Sequence, residues 1–293
     1  MDVMKMRDWT YLEDPPKDIG PARHILEVYS KIPYNDLDDH IRRVVSAALV
    51  RHPNFRQLTA SPNDQREKAW CISRYPFVGR WKFLYIPDPK DPRYQQVLFR
   101  LNVGGSRDVL LDLGCGVGQV IRQFRADGVD GAQLIGTDLQ SKFIDIGYDL
   151  FQDRDLLGAT FVAGDMLDPE DKELDTLRGK ITLVHAGSFF HLFNWVQQLY
   201  MGKRLVEFLK PGTRNAMIYG RQVGTNHPGP TSTSNRSAYL HDQASFQQLW
   251  DEVGAMTKTR WQVQLEPTGE PVCKLPGFGN NAFPVNFTIY QVS

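Results

Sequence analysis

Residues 111–120 read Leu111-Asp112-Leu113-Gly114-Cys115-Gly116-Val117-Gly118-Gln119-Val120, and the fold follows from them. Val109, Leu110, Leu111 and Leu113 form a short apolar run of the kind that fills a buried parallel strand. Three glycines at alternate positions come next, and then Val120, Ile121 and Phe124 recur at helical spacing. Strand, glycine turn and helix in that order offer backbone N–H groups at a helix N-terminus to a ligand. Glycine is required where the chain turns at positive φ, or where a Cβ would block a close ligand.

Spacing and charge select the ligand. A dinucleotide loop needs G-x-G-x-x-G, and Gln119 stands where its third glycine belongs. A carboxylate at Asp112 repels a pyrophosphate but suits a cationic amino acid. The next apolar stretch, Ala132 to Asp138, ends in an acid placed to accept both hydroxyls of a ribose. Taken alone, Asp138 reads equally as a helix cap. The stretch Ala159 to Ala163 runs into Gly164-Asp165-Met166. Asp165 by itself is a turn or cap residue; as the third acid of an ordered series it reads as a ligand.

Composition narrows the function. Lys+Arg and Asp+Glu both number 34, so the net charge is +0, whereas a nucleic-acid enzyme carries a basic excess or stripe. No nucleic-acid partner is expected. Cys71, Cys115 and Cys273 make neither a complete disulfide framework nor a zinc spacing, which points to a reducing compartment, the cytoplasm, and to no metal. Met1 to Asp14 is too polar for a signal peptide, and no run approaches the length of a membrane span.

Two parts are expected. Residues 1–104 form a helical, aromatic-rich arm, and residues 105–293 alternate strand and helix patterns in the rhythm of a parallel sheet. Strands are predicted near 109–113, 132–137, 159–163, 181–186 and 215–221, and helices near 118–127, 140–151 and 194–209. A further helix over 245–253 and two alternating strands near 261–265 and 286–290 close the pattern. In the arm, Ile25, Val28, Tyr29 and Ile32 carry helical spacing, and Leu37 to Leu49 carries it more clearly. If that second helix exposes its apolar face, a homodimer through the arm is expected.

The loop pattern Asp-x-Gly-x-Gly-x-Gly resembles the signature of class I S-adenosylmethionine (SAM)-dependent methyltransferases. Nearly the full length is similar to fungal secondary-metabolite methyltransferases, especially the carboxyl O-methyltransferases of meroterpenoid pathways. The resemblance rests on Tyr75-Pro76-Phe77-Val78-Gly79-Arg80-Trp81, Leu111 to Gly116, Thr137-Asp138-Leu139 and Gly187-Ser188-Phe189-Phe190-His191-Leu192-Phe193. It implies an α/β Rossmann-like class I methyltransferase fold: a mostly parallel seven-stranded sheet with an antiparallel last strand, behind an N-terminal helical arm. It implies SAM as cofactor and S-adenosylhomocysteine (SAH) as product. The implied cofactor residues are Asp112, Gly114, Cys115, Gly116, Gly118, Asp138, Leu139, Asp165, Met166 and His185. Asp112 holds the methionine moiety, Asp165 reads the adenine amino group, and Met166 packs on the ring. The arm becomes a lid over a small-molecule acceptor.

The segment after the fourth strand, Ala186 to His191, lines the transfer site in such a fold. It lacks the Asn/Asp-Pro-Pro-Tyr that holds an amino group, which counts against N-methylation. Phe189, Phe190 and Trp195 are candidates for an apolar acceptor wall, joined by Tyr29, Tyr75 and Trp81 from the arm; Arg221 is a candidate for orienting an acceptor carboxylate. A carboxylate is ionised at pH 7 and needs no base, whereas a phenol, with a pKa near ~10, needs one. His191 and His185 are the candidate bases. Each also reads as a buried histidine bonded within the fold, so ester and aryl-ether formation both stand, as does SAM binding without transfer.

Overall fold

The computed structural model describes residues 15–50, 80–231, 238–269 and 281–292, excepting the side chains of 45–50. Seven strands form one sheet: β1 Leu110–Leu113, β2 Leu134–Asp138, β3 Thr160–Ala163, β4 Leu183–His185, β5 Met217–Thr225, β6 Arg260–Pro267 and β7 Ala282–Val292. Their order is β3-β2-β1-β4-β5-β7-β6. β7 inserts antiparallel between β5 and β6, and the β1–β5 pairings are all parallel. This is the Rossmann-like class I methyltransferase arrangement expected from the loop. β1 reads as an unbroken apolar strand because both of its faces are covered, with Leu111 and Leu113 in one core and Leu110 in the other.

Six helices of eight residues or more are described: α1 Leu37–Val50, α2 Pro92–Asn102, α3 Gln119–Ala126, α4 Ser141–Phe151, α5 Trp195–Phe208 and α6 Gln243–Thr257. Five of them coincide with expected segments, and α2 does not. The Pro-Asp-Pro run before it reads as a breaker, but Pro92 sits in the first turn, where its missing N–H is no loss. Asp91 caps the helix by accepting from the Arg93 N–H at 2.8 Å. Tyr94, Val97 and Leu101 then bury against the sheet together with Phe124 and Leu110. The structure thus carries a helix on this face immediately before β1.

The arm begins with a turn of α-helix, Pro21–His24, that continues as a π-helix, Ile25–Tyr29. The wider i→i+5 ring closes from the Ser30 N–H to the Ile25 carbonyl at 3.0 Å. It rotates Val28, which 3.6-residue spacing puts on the buried face, out to 60% exposure. In α1, Leu37, Ile41 and Val44 bury in a cluster with Leu150 and Phe151 of α4 and Val117 of the glycine loop. The described part of the apolar face of α1, at Leu37, Ile41 and Val44, is therefore covered within the chain. Among the described residues, no helix is long and apolar enough to cross a membrane.

Candidate active site

The glycine loop leaves β1 and turns back over the end of β2. Gly114 and Cys115 both donate to the Thr137 carbonyl (2.8 and 2.9 Å), and the Gly118 N–H donates to the Cys115 carbonyl (2.8 Å). Gly114 takes φ 70° and Gly118 φ 68°, in the left-handed region that disfavours a Cβ. The loop N–H groups of residues 114, 115, 116 and 118 are thus engaged inside the protein. These four groups hold the loop, and the loop places the acids.

Asp138 shows how. Its Oδ2 accepts from the Gly116 N–H at 2.9 Å and its Oδ1 from the Gln140 N–H at 2.9 Å. Burial and the nearby Asp112 charge raise its pKa, opposed by those two hydrogen bonds, with a net upward shift. A carboxylate oxygen accepts more than one hydrogen bond, so both retain capacity for ribose hydroxyls. Leu139 beside it is 60% exposed, at the edge of the site. Asp165 Oδ1 caps its own turn through the Leu167 N–H at 2.8 Å. Arg204 of α5 fixes that turn from behind, donating to the Asp165 and Asp168 carbonyls at 2.9 and 2.6 Å. Met166 faces the main core, a correction to its placing on a ligand ring.

Asp112, His185 and Tyr219 lie abreast on β1, β4 and β5. The His185 Nδ1–H donates to Asp112 Oδ1 at 2.7 Å, which leaves Nε2 as the second functional nitrogen of a buried ring. One oxygen of Asp112 is thereby taken by a neighbour rather than by a ligand. The Tyr219 ring packs 5.1 Å from the His185 ring, and its buried hydroxyl has no partner among the described residues. Burial, reinforced by the Asp112 charge, pushes that phenol well above its ordinary pKa. No motif flags Tyr219; only the register of β5 brings it here.

Behind the loop lies a second buried pair. Arg122 of α3 meets Asp153 through two bonds of 2.8 and 2.9 Å and donates to the Val117 carbonyl at 2.7 Å. Tyr29 donates to Asp153 Oδ2 at 2.9 Å. This corrects the placing of Tyr29 at the acceptor: its hydroxyl fastens the arm to the back of the glycine loop. Gly147 of α4 completes the contact, since a Cβ there would lie 2.1 Å from the Val117 carbonyl oxygen.

Past β4 the chain holds to β5, with Ala186 donating to the Tyr219 carbonyl (2.8 Å) and Ser188 to that of Arg221 (2.6 Å). Phe189 lies on the glycine loop; a Cβ at Gly114 would come within 2.7 Å of its ring. Phe193 packs 5.0 Å from Phe189. Phe190 points the other way, 0% exposed among Phe246, Trp250 and Phe287, and is a core residue rather than a wall of the site. Trp195 meets the Tyr239 ring edge-on, packs at a tilt on His241 and donates to Glu252, so it braces α5 to α6 instead of lining the transfer site. Trp81 is buried in the arm's own cluster, a third correction. Tyr75 lies outside the described residues.

His191 is buried, and that burial, helped by the Lys82 charge, lowers its pKa to about 3. Arg221 donates to the Tyr85 hydroxyl at 3.0 Å. Lys82 and Tyr85, next to Trp81, thus bring the arm to the β4–β5 edge at two points. Tyr85 is not singled out by the sequence.

Residues 110–212 match the family described as methyltransferase domain. The chain is 37% identical over 259 residues to O-methyltransferase phiE of Fungal sp., covering 88% of this chain and 78% of that protein. The chain belongs to the class I SAM-dependent methyltransferases. Two further relatives are O-methyltransferase atr3 of Stereocaulon alpinum (34% identical, 85% of this chain, 66% of that one) and the Asnovolin E/Chermesin D methyltransferase nvfJ of Aspergillus novofumigatus (32%, 83% and 80%). The methyltransferase is therefore an enzyme that uses SAM, of the O-methylating type found in fungal secondary metabolism. Its residues fit that cofactor: the ends of β1, β2 and β3 present Asp112, Asp138 and Asp165 side by side, with the glycine loop folded between the first two.

Proposed function

We propose that the methyltransferase esterifies a carboxylate on a bulky apolar small molecule of meroterpenoid type. SAM bound at the β1–β3 edge supplies an activated methyl group. The chain then has to position the nucleophile and exclude water. Phe189 and Phe193 supply an apolar surface beside Gly114, where a carboxylate loses its hydration. We also propose that Asp112, Cys115, Gly116, Asp138, Leu139 and Asp165 contact the cofactor. In this reading residues 1–104 cover the acceptor and 105–293 hold SAM, with Lys82 and Tyr85 closing on His191 and Arg221.

The observation that carries the reading is the burial of His191, which disfavours its charged form. A histidine with a pKa of about 3 is neutral at pH 7 but far too weak a base to take a phenolic proton with useful driving force. A carboxylate makes no such demand. The name of one relative, the Asnovolin E/Chermesin D methyltransferase, supports a small-molecule acceptor here as well.

A second reading rests on His185. With Nδ1–H on Asp112, its Nε2 has the orientation of a general base, and a phenol acceptor would use it. Incubation with SAM and either para-hexylbenzoic acid or para-hexylphenol separates the two. We expect the acid to give a methyl product cleaved by mild alkali. Transfer to the phenol alone, with an alkali-stable product, overturns the carboxyl reading.

A further inference from the structure

Gln222 lies on β5, three residues beyond Tyr219, and is only 3% exposed. Neither its Oε1 nor its Nε2 has a hydrogen-bond partner among the described residues. A buried amide with both ends unmet is rare in a folded protein and calls for a reason. Packing does not supply one, since Met or Leu fills the same volume without the desolvation penalty.

Its position supplies the reason. Side chains alternate along a strand, so Gly220 and Gly224 share its face. A Cβ at Gly220 would stand 2.3 Å from the Ala186 carbonyl oxygen, and one at Gly224 would stand 3.2 Å from that of His241. The Gln222 side chain therefore rises between the segment that leaves β4 for Phe189 and the segment at His241. Both segments are pinned to β5 on either side of it, Ser188 to the Arg221 carbonyl at 2.6 Å and the Thr225 N–H to the His241 carbonyl at 3.0 Å. In the proposed O-methyltransferase reading the acceptor lies at this end of the sheet, across β1 and β4 from Asp138.

We propose that Gln222 recognises the acceptor, its carboxamide pairing with two neighbouring oxygens of the substrate of which at least one bears hydrogen. The proposal rests on the O-methyltransferase reading and sharpens its substrate class. An amide presents an acceptor oxygen and a donor nitrogen side by side in one plane. A bare carboxylate, which only accepts, satisfies the nitrogen and repels the oxygen. The group held by Gln222 is therefore not the methylated carboxylate but a second handle: a vicinal diol, a catechol or a hydroxyl beside a carbonyl. A substrate without it leaves the amide unmet, and sites of that kind discriminate strongly.

The test uses the full chain saturated with SAH. Calorimetry compares para-tert-butylcatechol with para-tert-butylphenol, which lacks the second oxygen. We expect the wild type to bind the catechol at least ~10-fold more tightly, in line with a site left unpaired by the analogue. In Gln222→Met and Gln222→Leu the two probes should bind within about twofold of each other, with SAH affinity unchanged and Tm equal or higher, because two unmet polar atoms have gone. A purely structural amide predicts a fall in Tm and no change in the preference. The proposal is overturned if wild type shows no preference, if the preference survives in both variants, or if both lose several degrees of Tm. Failure of SAH to bind wild type would instead strike the methyltransferase reading itself.

Discussion

At the β1–β3 edge each of the three acids is already held by protein: Asp138 by Gly116 and Gln140, Asp165 by its own turn, and Asp112 by His185. At the C-terminal end of β5, buried Gln222 keeps both amide atoms without partners among the described residues, as Tyr219 keeps its hydroxyl on the opposite face. The contrast has an energetic meaning. A self-satisfied constellation is rigid before its ligand arrives, so binding there spends little on ordering. An unmet one sacrifices stability until a ligand supplies the missing bonds, and it rejects ligands that cannot. A cofactor used in every turnover suits the first design, and a particular acceptor suits the second.

The largest expected effect tests the rigidity of the first edge. Arg122→Met leaves Asp153 charged and buried, takes one donor from the Val117 carbonyl and loosens the anchor of Tyr29. Breaking one half of a buried pair costs about 3–5 kcal/mol. Thermal or urea unfolding should show a loss of that size, with SAH affinity falling as the loop loosens. A loss under about 1 kcal/mol would mean that the pair contributes little, as exposed pairs do. The Gln222 variants are the counterpart at the other edge, where removing polar atoms should not destabilise.

Next comes Asp138, proposed to contact the cofactor. Asp138→Ala deletes an acceptor and strands the Gly116 and Gln140 N–H groups. We expect SAH to bind more weakly by about 1–3 kcal/mol, roughly 5–150-fold. An unchanged titration would remove Asp138 from the cofactor site and with it the comparison drawn above.

Acid lability follows in size. Burial holds His191 at about 3 and His241 at about 4, against about 6.5 for an unfolded histidine. The unfolded chain therefore takes up protons that the folded chain refuses. Their contribution is fully present above pH ~6.5 and is lost as pH falls, by up to ~1.4 kcal/mol per pH unit for each histidine. His241→Gln should halve that slope between pH 6 and 5, a window above the ordinary carboxylate range, in urea titrations at each pH. A pH-independent stability there would mean that these rings are already protonated or exposed.

How much of this was legible beforehand divides along the same line. Asp112, Asp138 and Asp165 sit at or just beyond strand ends whose apolar runs announce them, so their placement at the ends of β1, β2 and β3 can be read from the chain. Phe189 and Phe190 are adjacent and alike in sequence, yet one lies on Gly114 and the other fills the core, because direction after β4 depends on the Ser188–Arg221 bond. Tyr29, Trp81 and Trp195 carry the composition of a substrate wall and spend it on packing. α2 escapes the sequence because the Pro87-Asp88-Pro89 run before it reads as a breaker and masks the start at Pro92. Gln222 gives no local signal at all, since only burial makes an amide conspicuous.

The smallest expected effect concerns His191 and decides what kind of edge β4–β5 is. If this ring were the base for a phenol, His191→Asn should cost the ~10²–10⁴-fold typical of general-base catalysis. The rate would also rise with pH through a group titrating near neutrality. Burial has instead moved its titration to about 3, below any working pH, so the ring stays neutral throughout. On a carboxylate such as para-hexylbenzoic acid, His191→Asn should lower kcat/KM only a few-fold, roughly 1 kcal/mol of lost positioning. The pH–rate profile should stay flat above the acid's own pKa in both proteins. His185→Asn serves as the control, because its ring keeps an Asp112-oriented Nε2 and carries the rival reading. A loss of ~10²-fold or more confined to His185, with a rate that climbs between pH 6 and 8, would transfer the chemistry from the apolar surface at Phe189 to the Asp112–His185 pair.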